Sequence, residues 1–329
     1  MKDRINWGVV GTGGITRRFS KGLQAVEGAH LYAAASRTGE KAEAFAAEFG
    51  CPRAYGDYRA MLEDPAVDVV YIGTPHVTHK EIAIHAFRAK KAVLCEKPVS
   101  INAAELSAMI AEARANKVFF MEAMWTRFVP ALRKVKEWID SGIIGDIKIV
   151  QANFCFSVPF NPQSRIYNID LGGGALLDAG VYPLSLASLV FGGKRPEALS
   201  SMMYRGTTGV DEEVSVLLSY GGPRMACLSA AVSAACVNDG WIYGTEGHIH
   251  LPDFVFSHRA DLHRNGRYIH HCEPEFVSNG YNYEVQEVMN CLREGKLESG
   301  IMGLAESLVI METMDRVRAQ NGFRYPGES

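Results

Sequence analysis

Short apolar runs alternate with amphipathic helical patterns over the first third of the chain. Such runs, bounded by turn residues, predict buried strands of a parallel sheet, and the patterns between them predict crossover helices. The predicted strands are Ile5 to Val10, Ala29 to Ala35, Val67 to Ile72, Ala92 to Cys95 and Val118 to Ala123. The predicted helices are one through Phe19 and Leu23, Glu40 to Phe49, Tyr58 to Glu63, His79 to Ala89 and one that ends at Ala115. This alternation predicts an α/β domain of six strands over residues 1–123, of which these five are located and Val118 to Ala123 is the last.

The alternation ends at Met124, and a different pattern follows. Successive strands joined by short turns such as Asn265-Gly266 predict an antiparallel sheet. The later strands are predicted at Ile147 to Phe156, Met202 to Arg205, Glu213 to Tyr220, Met225 to Ser233, Trp241 to Gly244, His248 to Leu251, Phe254 to His258 and Tyr268 to His271, and helices at Ala131 to Ser141, Tyr283 to Arg293 and Ala305 to Ala319. The pattern predicts a second domain over residues 124–329, an α+β domain with a large, mostly antiparallel sheet.

Bulk composition describes a protein with ample apolar residues and no charged tail. Apolar residues make up 47% of the 329, and the formal net charge is −3, so neither nucleic acid nor an anionic membrane is an expected partner. The amino-terminal residues are charged and no apolar run approaches the length of a membrane span, so we expect a cytoplasmic protein. The seven cysteines lack C-x-x-C spacing and are odd in number, which predicts reduced, mostly buried thiols.

A glycine-rich turn follows the first predicted strand and precedes a helix. Its residues are Gly11, Thr12, Gly13, Gly14 and Ile15. Glycines here permit a tight bend, and the helix N-terminus then faces a pyrophosphate, so the turn predicts dinucleotide binding. The third glycine position of the fingerprint holds Thr16, a small residue that still allows helix and strand to pack. A turn that binds no ligand is the alternative.

Ser36 and Arg37 follow the second strand, where a dinucleotide-binding fold places its ribose-reading residue. The acidic side chain that would accept from the 2′-hydroxyl of NAD is missing there. A serine and an arginine suit the 2′-phosphate of NADP through charge-assisted hydrogen bonds, so NADP is predicted in preference to NAD. An exposed arginine that caps the next turn is the alternative.

Another loop at the end of a strand carries Thr74, Pro75, His76 and His79. Its position puts these residues on the cofactor side of the sheet. Two histidines suggest a metal site, but no Cys, Asp or Glu accompanies them at ligand spacing. We therefore predict backbone or cofactor contacts for this loop, and no metal.

The predicted strand Ala92 to Cys95 is followed directly by two charged residues, Glu96 and Lys97, and then by Pro98. Ligands of open α/β sheets bind at this end of the strands, where a lysine can donate a proton or hold a charge. A cis bond before Pro98 is one way to aim the lysine side chain. On these residues alone, a solvated Glu/Lys pair in a turn is the competing interpretation.

A second charged element follows three glycines, Gly172 to Gly174, in the second domain. Asp178 and Tyr182 are four residues apart, which places a carboxylate and a phenol on one face of a helical turn. A phenol can give or take a proton when a nearby cation lowers its pKa, and Lys97 is the candidate cation. An acid that favours the helix dipole, beside a tyrosine in the core, is the alternative.

Together these segments resemble the Gfo/Idh/MocA family of nicotinamide-dependent oxidoreductases over nearly the whole chain. The resemblance rests on four motifs in order: the glycine turn, Glu96-Lys97-Pro98, the segment with Asp178 and Tyr182, and Tyr243-Gly244-Thr245-Glu246-Gly247. Two segments, Met121 to Phe128 and Leu177 to Leu184, are most similar to the family's dihydrodiol dehydrogenase and NADP-dependent sugar 1-dehydrogenase branch. Tyrosine at position 182, where some members have histidine, fits that branch and argues against an inositol dehydrogenase.

The resemblance implies a Rossmann domain followed by a domain whose open sheet packs against a second copy of the chain, so we expect a homodimer. It implies that Glu96 and Lys97 lie by the nicotinamide, with Lys97, Asp178 and Tyr182 around the substrate hydroxyl. The active site is then expected only where the two domains meet.

The family pattern also makes Trp125, Arg127 and Phe154 candidates for a pocket wall that suits an arene diol or a sugar face, with core packing as the alternative. The expected reaction is hydride transfer between NADP and a secondary alcohol of a cyclic polyol, an aldose or a trans-dihydrodiol. An anhydro- or keto-sugar reductase is one alternative. A regulator that senses NADP or sugar without catalysis is another.

Overall fold

A computed structural model describes residues 3–328 of the chain and contains the predicted parallel sheet. Its six strands lie in the order β3-β2-β1-β4-β5-β6. They are β1 (Ile5–Val10), β2 (Ala29–Ala35), β3 (Arg53–Tyr55), β4 (Val69–Ile72), β5 (Ala92–Glu96) and β6 (Phe120–Ala123). The strand β3 was not located from the sequence, because its three residues are exposed or half-buried and form no apolar run. The order reverses between β1 and β4, and dinucleotides bind at the carboxyl ends of strands beside such a reversal.

The helices associated with this sheet start and stop at local capping signals. They are α1 (Gly14–Gln24), α2 (Gly39–Phe49), α3 (Tyr58–Glu63), α4 (His79–Arg88) and α5 (Ala103–Asn116). The helix α2 ends at Gly50, whose φ of 71° is a left-handed conformation that glycine adopts without strain. Asp57 caps α3 by accepting a hydrogen bond from the Arg59 N–H at 3.0 Å.

The second sheet has eight strands in the order β14-β13-β12-β11-β7-β10-β9-β8. They are β7 (Ile147–Cys155), β8 (Ala198–Arg205), β9 (Asp211–Ser219), β10 (Met225–Ala231), β11 (Gly240–Gly244), β12 (Gly247–Leu251), β13 (Ala260–Arg264) and β14 (Arg267–Cys272). The strands β7 and β10 pair in parallel, and the other neighbours pair antiparallel. The mostly antiparallel second sheet is therefore confirmed.

One predicted strand of this sheet is wrong. Residues Phe254 to His258 form no strand, because the chain turns at Asp253, whose φ is 44° and whose carbonyl accepts from the Phe256 N–H at 2.8 Å. Phe254 and Val255 are buried, whereas Phe256 is exposed. The next strand, β13, was not predicted, because Asp261 interrupts its apolar pattern. Asp261 is buried and pairs with Arg259 at 2.7 Å.

The described residues fall into two compact units. The first comprises residues up to Ser100 together with Ala104–Phe128 and Phe276–Ser307, and the second comprises Ile101–Ala103, Val129–Glu275 and the chain from Leu308 on. The remaining helices are α6 (Pro130–Asp140), α7 (Val181–Val190), α8 (Tyr281–Arg293) and α9 (Leu304–Gln320). The helix α8 belongs to the first unit because it packs on α1, where a Cβ added to Gly22 would lie 2.8 Å from Tyr281 Cβ. The predicted division after residue 123 is a single cut, whereas each observed unit combines three segments.

One segment, Ile169–Val190, is long and apolar enough to cross a membrane by length and composition, although no such run was expected from the sequence. The apolar stretch of this segment is buried inside the protein. Burial of this kind is typical of a core helix, since α7 is buried at every position.

All seven cysteines are free thiols. Cys95, Cys155 and Cys291 are buried, whereas Cys236 is exposed and the other three are half-buried. The expectation of reduced thiols is confirmed, but the expectation that most are buried is wrong. Burial alone raises the pKa of the Cys51 thiol to about 11, which keeps it protonated and weakly reactive.

Candidate active site

The glycine turn between β1 and α1 has the geometry of an anion-binding helix start. Gly11 has a φ of 92°, and a Cβ there would approach the Gly73 carbonyl oxygen at 2.9 Å, so the position requires glycine. Around Gly13 and Gly14, by contrast, a Cβ would meet no atom within 4 Å. The first turn of α1 carries no acidic residue. The start of α1 therefore has open space beside its two glycines and no acidic residue that would repel an anion, so it suits a pyrophosphate.

Thr16 replaces the third glycine of the fingerprint because another glycine makes room for it. Its side chain is fully buried, and a Cβ placed on Gly73 would lie 2.5 Å from Thr16 Oγ1. Helix α1 and strand β4 thus approach each other through a threonine on one side and a glycine on the other.

Ser36 and Arg37 stand at the carboxyl end of β2. The Ser36 hydroxyl lies 3.3 Å from the Thr12 hydroxyl, which joins the second strand to the glycine turn. Arg37 is exposed. A second arginine, Arg17, donates to the Thr12 carbonyl and pairs with Glu48 at 2.9 Å. The predicted ribose-reading residues are thus close to the phosphate turn and carry no negative charge.

The loop after β4 is organised by backbone contacts of His79. This histidine is fully buried, with Nε2 2.9 Å from the Thr74 carbonyl oxygen and Nδ1 3.1 Å from the Pro98 carbonyl oxygen. Thr78 donates to Thr74 Oγ1 at 2.8 Å. His79 therefore ties the end of β4 to the residue after Lys97, which is the backbone role expected for it. Over residues 3–328, no three His, Cys, Asp or Glu residues are grouped so as to hold a metal ion.

Glu96 ends β5 as a buried hydrogen-bond acceptor. Tyr71 donates to its Oε1 at 2.6 Å, and the Lys97 N–H donates to its Oε2 at 3.1 Å. The Tyr71 ring stacks on Phe19 of α1 with centroids 3.6 Å apart. Burial, followed by the charge of Glu96, holds the pKa of Tyr71 well above its ordinary value, so the phenol remains a donor. A carboxylate that accepts two hydrogen bonds keeps its negative charge.

The turn after Lys97 is anchored by a second buried acid, Glu122 of β6. The Val99 N–H donates to Glu122 Oε1 at 3.2 Å, and the Lys97–Pro98 peptide bond is cis, as predicted. Burial raises the pKa of Glu122 to about 7. Lys97 itself is half-buried. Its backbone is therefore held from both sides, by Glu96 before it and by Glu122 after it.

In the second unit, three glycines fold the chain back on itself next to Asp178. A Cβ on Gly173 would lie 2.5 Å from the carbonyl oxygens of Arg165 and Ile166, and Gly174 has a φ of 123°. The Gly174 N–H donates to the Ile166 carbonyl at 2.9 Å. Close backbone approach thus brings Arg165 next to the helical turn that carries Asp178.

Asp178 is held by Arg165. One guanidinium nitrogen, Nη2, lies 3.0 Å from each carboxylate oxygen, and Asp178 is buried whereas Arg165 is partly exposed. Residues Leu176–Gly180 form a single π-helical turn, and α7 begins at Val181. The four-residue spacing to Tyr182 thus spans a π-helical turn of the kind that is frequent at functional sites, not the regular helical turn that was predicted.

Tyr182 lies in an aromatic cluster of the second unit. Its ring meets Phe154 of β7 edge-on at 5.3 Å, and Phe154 also meets Phe156 at 5.4 Å and Phe256 at 6.0 Å. Phe154, one of the three predicted wall residues, therefore contacts Tyr182.

The other two wall candidates, Trp125 and Arg127, lie in the first unit. Trp125 stacks on Tyr281 of α8 at 5.2 Å, and the buried Arg127 pairs with Glu306. These contacts are those of packed residues, and a role of Trp125 or Arg127 toward substrate remains a prediction.

Sequence reasoning missed three side chains that organise these two groups, namely Tyr71, Glu122 and Arg165. Tyr71 lies in an ordinary apolar strand, and Arg165 lies thirteen residues from the carboxylate it pairs with. Neither position carries a local signal, since each pairing depends on distant backbone.

Two family profiles match the chain. One, described as the oxidoreductase family with an NAD-binding Rossmann fold, covers residues 5–124, and the other, the Gfo/Idh/MocA C-terminal domain, covers residues 132–250. The trans-1,2-dihydrobenzene-1,2-diol dehydrogenase of Xenopus laevis is 38% identical, over 97% of this chain and 99% of the relative. The enzyme of the same name from Mus musculus is 36% identical, over 98% of each chain.

Solved structures show the same architecture. The 3-ketoreductase KijD10 from Actinomadura kijaniata, in complex with NADP and TDP-benzene, superposes with a TM-score of 0.85 at 27% identity, over 97% of this chain and 98% of that one. The aldose-aldose oxidoreductase from Caulobacter crescentus superposes with a TM-score of 0.88 at 22% identity, over 96% and 97% of the two chains, and shares the fold.

Proposed function

Because this chain belongs to the Gfo/Idh/MocA family of oxidoreductases, we propose that it is an NADP-dependent dehydrogenase for a secondary alcohol of a cyclic polyol, an aldose or a trans-dihydrodiol. The observation that carries the proposal is the placement of Lys97 at the carboxyl end of β5. Its own N–H donates to Glu96, and the Val99 N–H two residues later donates to Glu122, so the backbone is held on both sides. Ligands of open α/β sheets bind at this edge. The relatives named as dihydrodiol dehydrogenases act on CH–OH groups, which supports the substrate class.

The preference for NADP is supported by the end of β2. Ser36 and the exposed Arg37 offer a hydroxyl and a cation where NAD would need a carboxylate. The 3-ketoreductase with 27% identity was crystallised with NADP. The open N–H groups at Gly13 and Gly14 would hold the pyrophosphate, and Ser36 and Arg37 would hold the 2′-phosphate.

The chemistry proposed for the chain's own residues is proton transfer and orientation. When bound, NADP+ accepts the hydride from the alcohol carbon. Tyr182 takes the hydroxyl proton, Lys97 stabilises the substrate oxygen as negative charge develops on it, and Asp178 accepts a hydrogen bond from a neighbouring hydroxyl. The Arg165 guanidinium supports this role of Asp178, because it keeps the carboxylate ionised and fixed. Reduction reverses each step.

A keto-sugar reductase is the second candidate function. The neighbour named as a 3-ketoreductase favours it, and the reaction uses the same residues in the opposite direction. A spectrophotometric screen separates the two candidates. Formation of NADPH from polyols, aldoses or dihydrodiols supports the dehydrogenase, whereas consumption of NADPH by keto-sugars alone supports the reductase.

The second sheet supports a proposed homodimer. Strand alternation and register place Ile149, Leu217, Met225 and Met202 on one face, and all four are exposed, Met202 by 80%. An exposed apolar sheet face of this kind is typical of a protein interface. We expect a dimer by light scattering and a monomer for Leu217→Glu, whereas Leu297→Glu, a change at an exposed leucine of the first unit, leaves the dimer intact. A monomeric wild-type protein would contradict the dimer proposal.

A further inference from the structure

A buried acid of the first unit has no role in the chemistry described so far. Glu284 lies in the first turn of α8 and is fully buried. Neither of its carboxyl oxygens has a hydrogen-bond partner among residues 3–328. An ionisable side chain in this state requires an explanation, because a buried charge without partners is strongly unfavourable.

The packing of α8 connects Glu284 to the end of β5 through α1 and Tyr71. The first turn of α8 lies against α1, where a Cβ on Gly22 would be 2.9 Å from the Asn282 N. From α1, the Phe19 ring stacks on Tyr71, whose hydroxyl donates to Glu96. The ionisable groups that interact electrostatically with this cluster include Glu96 and Cys95 of β5, Glu122 of β6, Tyr71 of β4 and Tyr281 of α8 itself.

The two carboxyl groups of this cluster are in different states. Glu96 accepts hydrogen bonds from Tyr71 and from the Lys97 N–H, which stabilise its anion. Glu284 has no donor, and burial, followed by the charge of Glu96, raises the pKa of Glu284 well above its ordinary value. Without a further positive charge nearby, two carboxyl groups that share a buried site do not ionise together. The proton therefore resides on Glu284 while Glu96 carries the negative charge.

The cofactor changes the charge balance of this cluster. A dinucleotide binds across the strand-order reversal, with the ribose-reading residue of β2 on one side and the second nucleotide over β4, β5 and β6 on the other. The nicotinamide half thus lies on the side of Glu96. The oxidised ring carries a positive charge and the reduced ring carries none. An added positive charge favours ionisation of a neighbouring carboxyl group.

We propose, on the basis of the proposed function, that Glu284 is a buried proton-binding site coupled to the oxidation state of the nicotinamide. Binding of NADP+ breaks the Glu284 O–H bond and releases one proton to solvent, which leaves two carboxylates, Glu96 and Glu284, in the cluster. Binding of NADPH leaves the O–H bond intact. By linkage, the affinity for NADP+ relative to NADPH rises with pH.

The test is the ratio of the dissociation constants of NADP+ and NADPH, measured from pH 6 to pH 9. Titration of the 2′-phosphate and of the pyrophosphate site affects both cofactors, so it cancels in the ratio. We expect the ratio to fall with pH for the wild-type protein, by up to about tenfold per pH unit where Glu284 titrates. The ratio of Glu284→Gln, which keeps the shape of the side chain and cannot ionise, is expected to stay flat.

Calorimetry in two buffers of different ionisation enthalpy gives an independent measure on the wild-type protein, even where Glu284→Gln folds poorly. Proton release with NADP+ and none with NADPH supports the coupling. A flat wild-type ratio, or a slope that persists in Glu284→Gln, overturns the coupling and leaves the proposed function in place. Failure of both NADP+ and NADPH to bind overturns the proposed function, and the coupling with it.

Discussion

Lys97 in the first unit and Asp178 in the second are held in opposite ways. The backbone on both sides of Lys97 is fixed by buried acids, Glu96 and Glu122, so its position depends on the parallel sheet. Asp178 is fixed through its side chain, by an arginine on a separate segment that is partly exposed. Because the first arrangement is built into strand ends and the second into a folded-back loop, we expect the two residues to respond differently to substitution.

The largest expected effect is that of Lys97→Met. Removal of the charge that stabilises the substrate oxygen is expected to lower kcat by about 10²–10⁴-fold, the range typical of a lost proton-transfer group. Glu96 and the glycine turn remain, so the dissociation constant of NADPH should change less than about threefold, which fluorescence titration measures. The matched control is Lys80→Met, which removes a partly exposed lysine that pairs with Glu105 at 3.0 Å in the same unit. Unchanged turnover in Lys97→Met would contradict the assignment.

Substitution of Arg165 probes the other half of the comparison. Loss of a hydrogen bond to a charged group costs about 1.5–3 kcal/mol, so Arg165→Met is expected to lower kcat/KM by about 10–100-fold, mainly through KM. Arg165→Lys should recover part of the loss, because lysine keeps the charge but not the planar guanidinium. Arg264→Met removes an exposed arginine that pairs with Glu246 and serves as control. Equal kinetics of Arg165→Met and wild type would show that Asp178 needs no partner.

A smaller effect is expected at the cofactor end of the first unit. Arg37→Glu places a negative charge where the 2′-phosphate is proposed to bind, so the dissociation constant of NADPH should rise by about tenfold or more while that of NADH changes little. The same charge change at the exposed Lys117, beyond α5, should leave both constants unaltered because salt screens distant charges. Equal weakening of NADPH and NADH by Arg37→Glu is the outcome that rules out 2′-phosphate recognition.

The smallest expected effect concerns stability. Burial raises the pKa of Asp211 to about 7, and its Oδ2 accepts from the Leu176 N–H at 2.6 Å behind the glycine segment. The folded-state pKa lies above the unfolded value of 3.8, so the stabilisation from the protonated form is complete below pH 3.8 and is lost as pH rises through about 7.

Asp211→Asn is therefore expected to reduce the fall of Tm between pH 5 and pH 8. Each kcal/mol by which the free energy of unfolding changes corresponds to about 2–4 °C of Tm. Differential scanning calorimetry measures it. Because Glu122 of the first unit also has a pKa raised to about 7, some pH dependence should remain in the Asp211→Asn protein. A pH profile identical to that of the wild type would exclude Asp211 as its source.

The local patterns that predicted the first sheet succeeded because each signal was contained in a few adjacent residues. The strand β1 and its glycine turn are contiguous, and buried parallel strands such as β1 and β5 are mostly apolar. The predictions failed where a few adjacent residues do not carry such a signal. The strand β3 forms an edge without an apolar run and was missed, and the segment Phe254 to His258 was predicted to be a strand because its apolar residues Phe254 and Val255 are buried in a turn.

The sequence by itself determined the order of elements, the glycine turn, the absence of an acid after β2, and the position of Glu96, Lys97 and Pro98 at a strand end. Each of these depends on residues within one turn or one strand of each other. Only the tertiary structure decided which side chains hold the reactive groups. Tyr71 reaches Glu96, Arg165 reaches Asp178, and Glu284 is buried without a donor among the described residues. These pairings join residues on separate elements, and burial, which sets their charge states, is a property of the packed fold and not of any local segment.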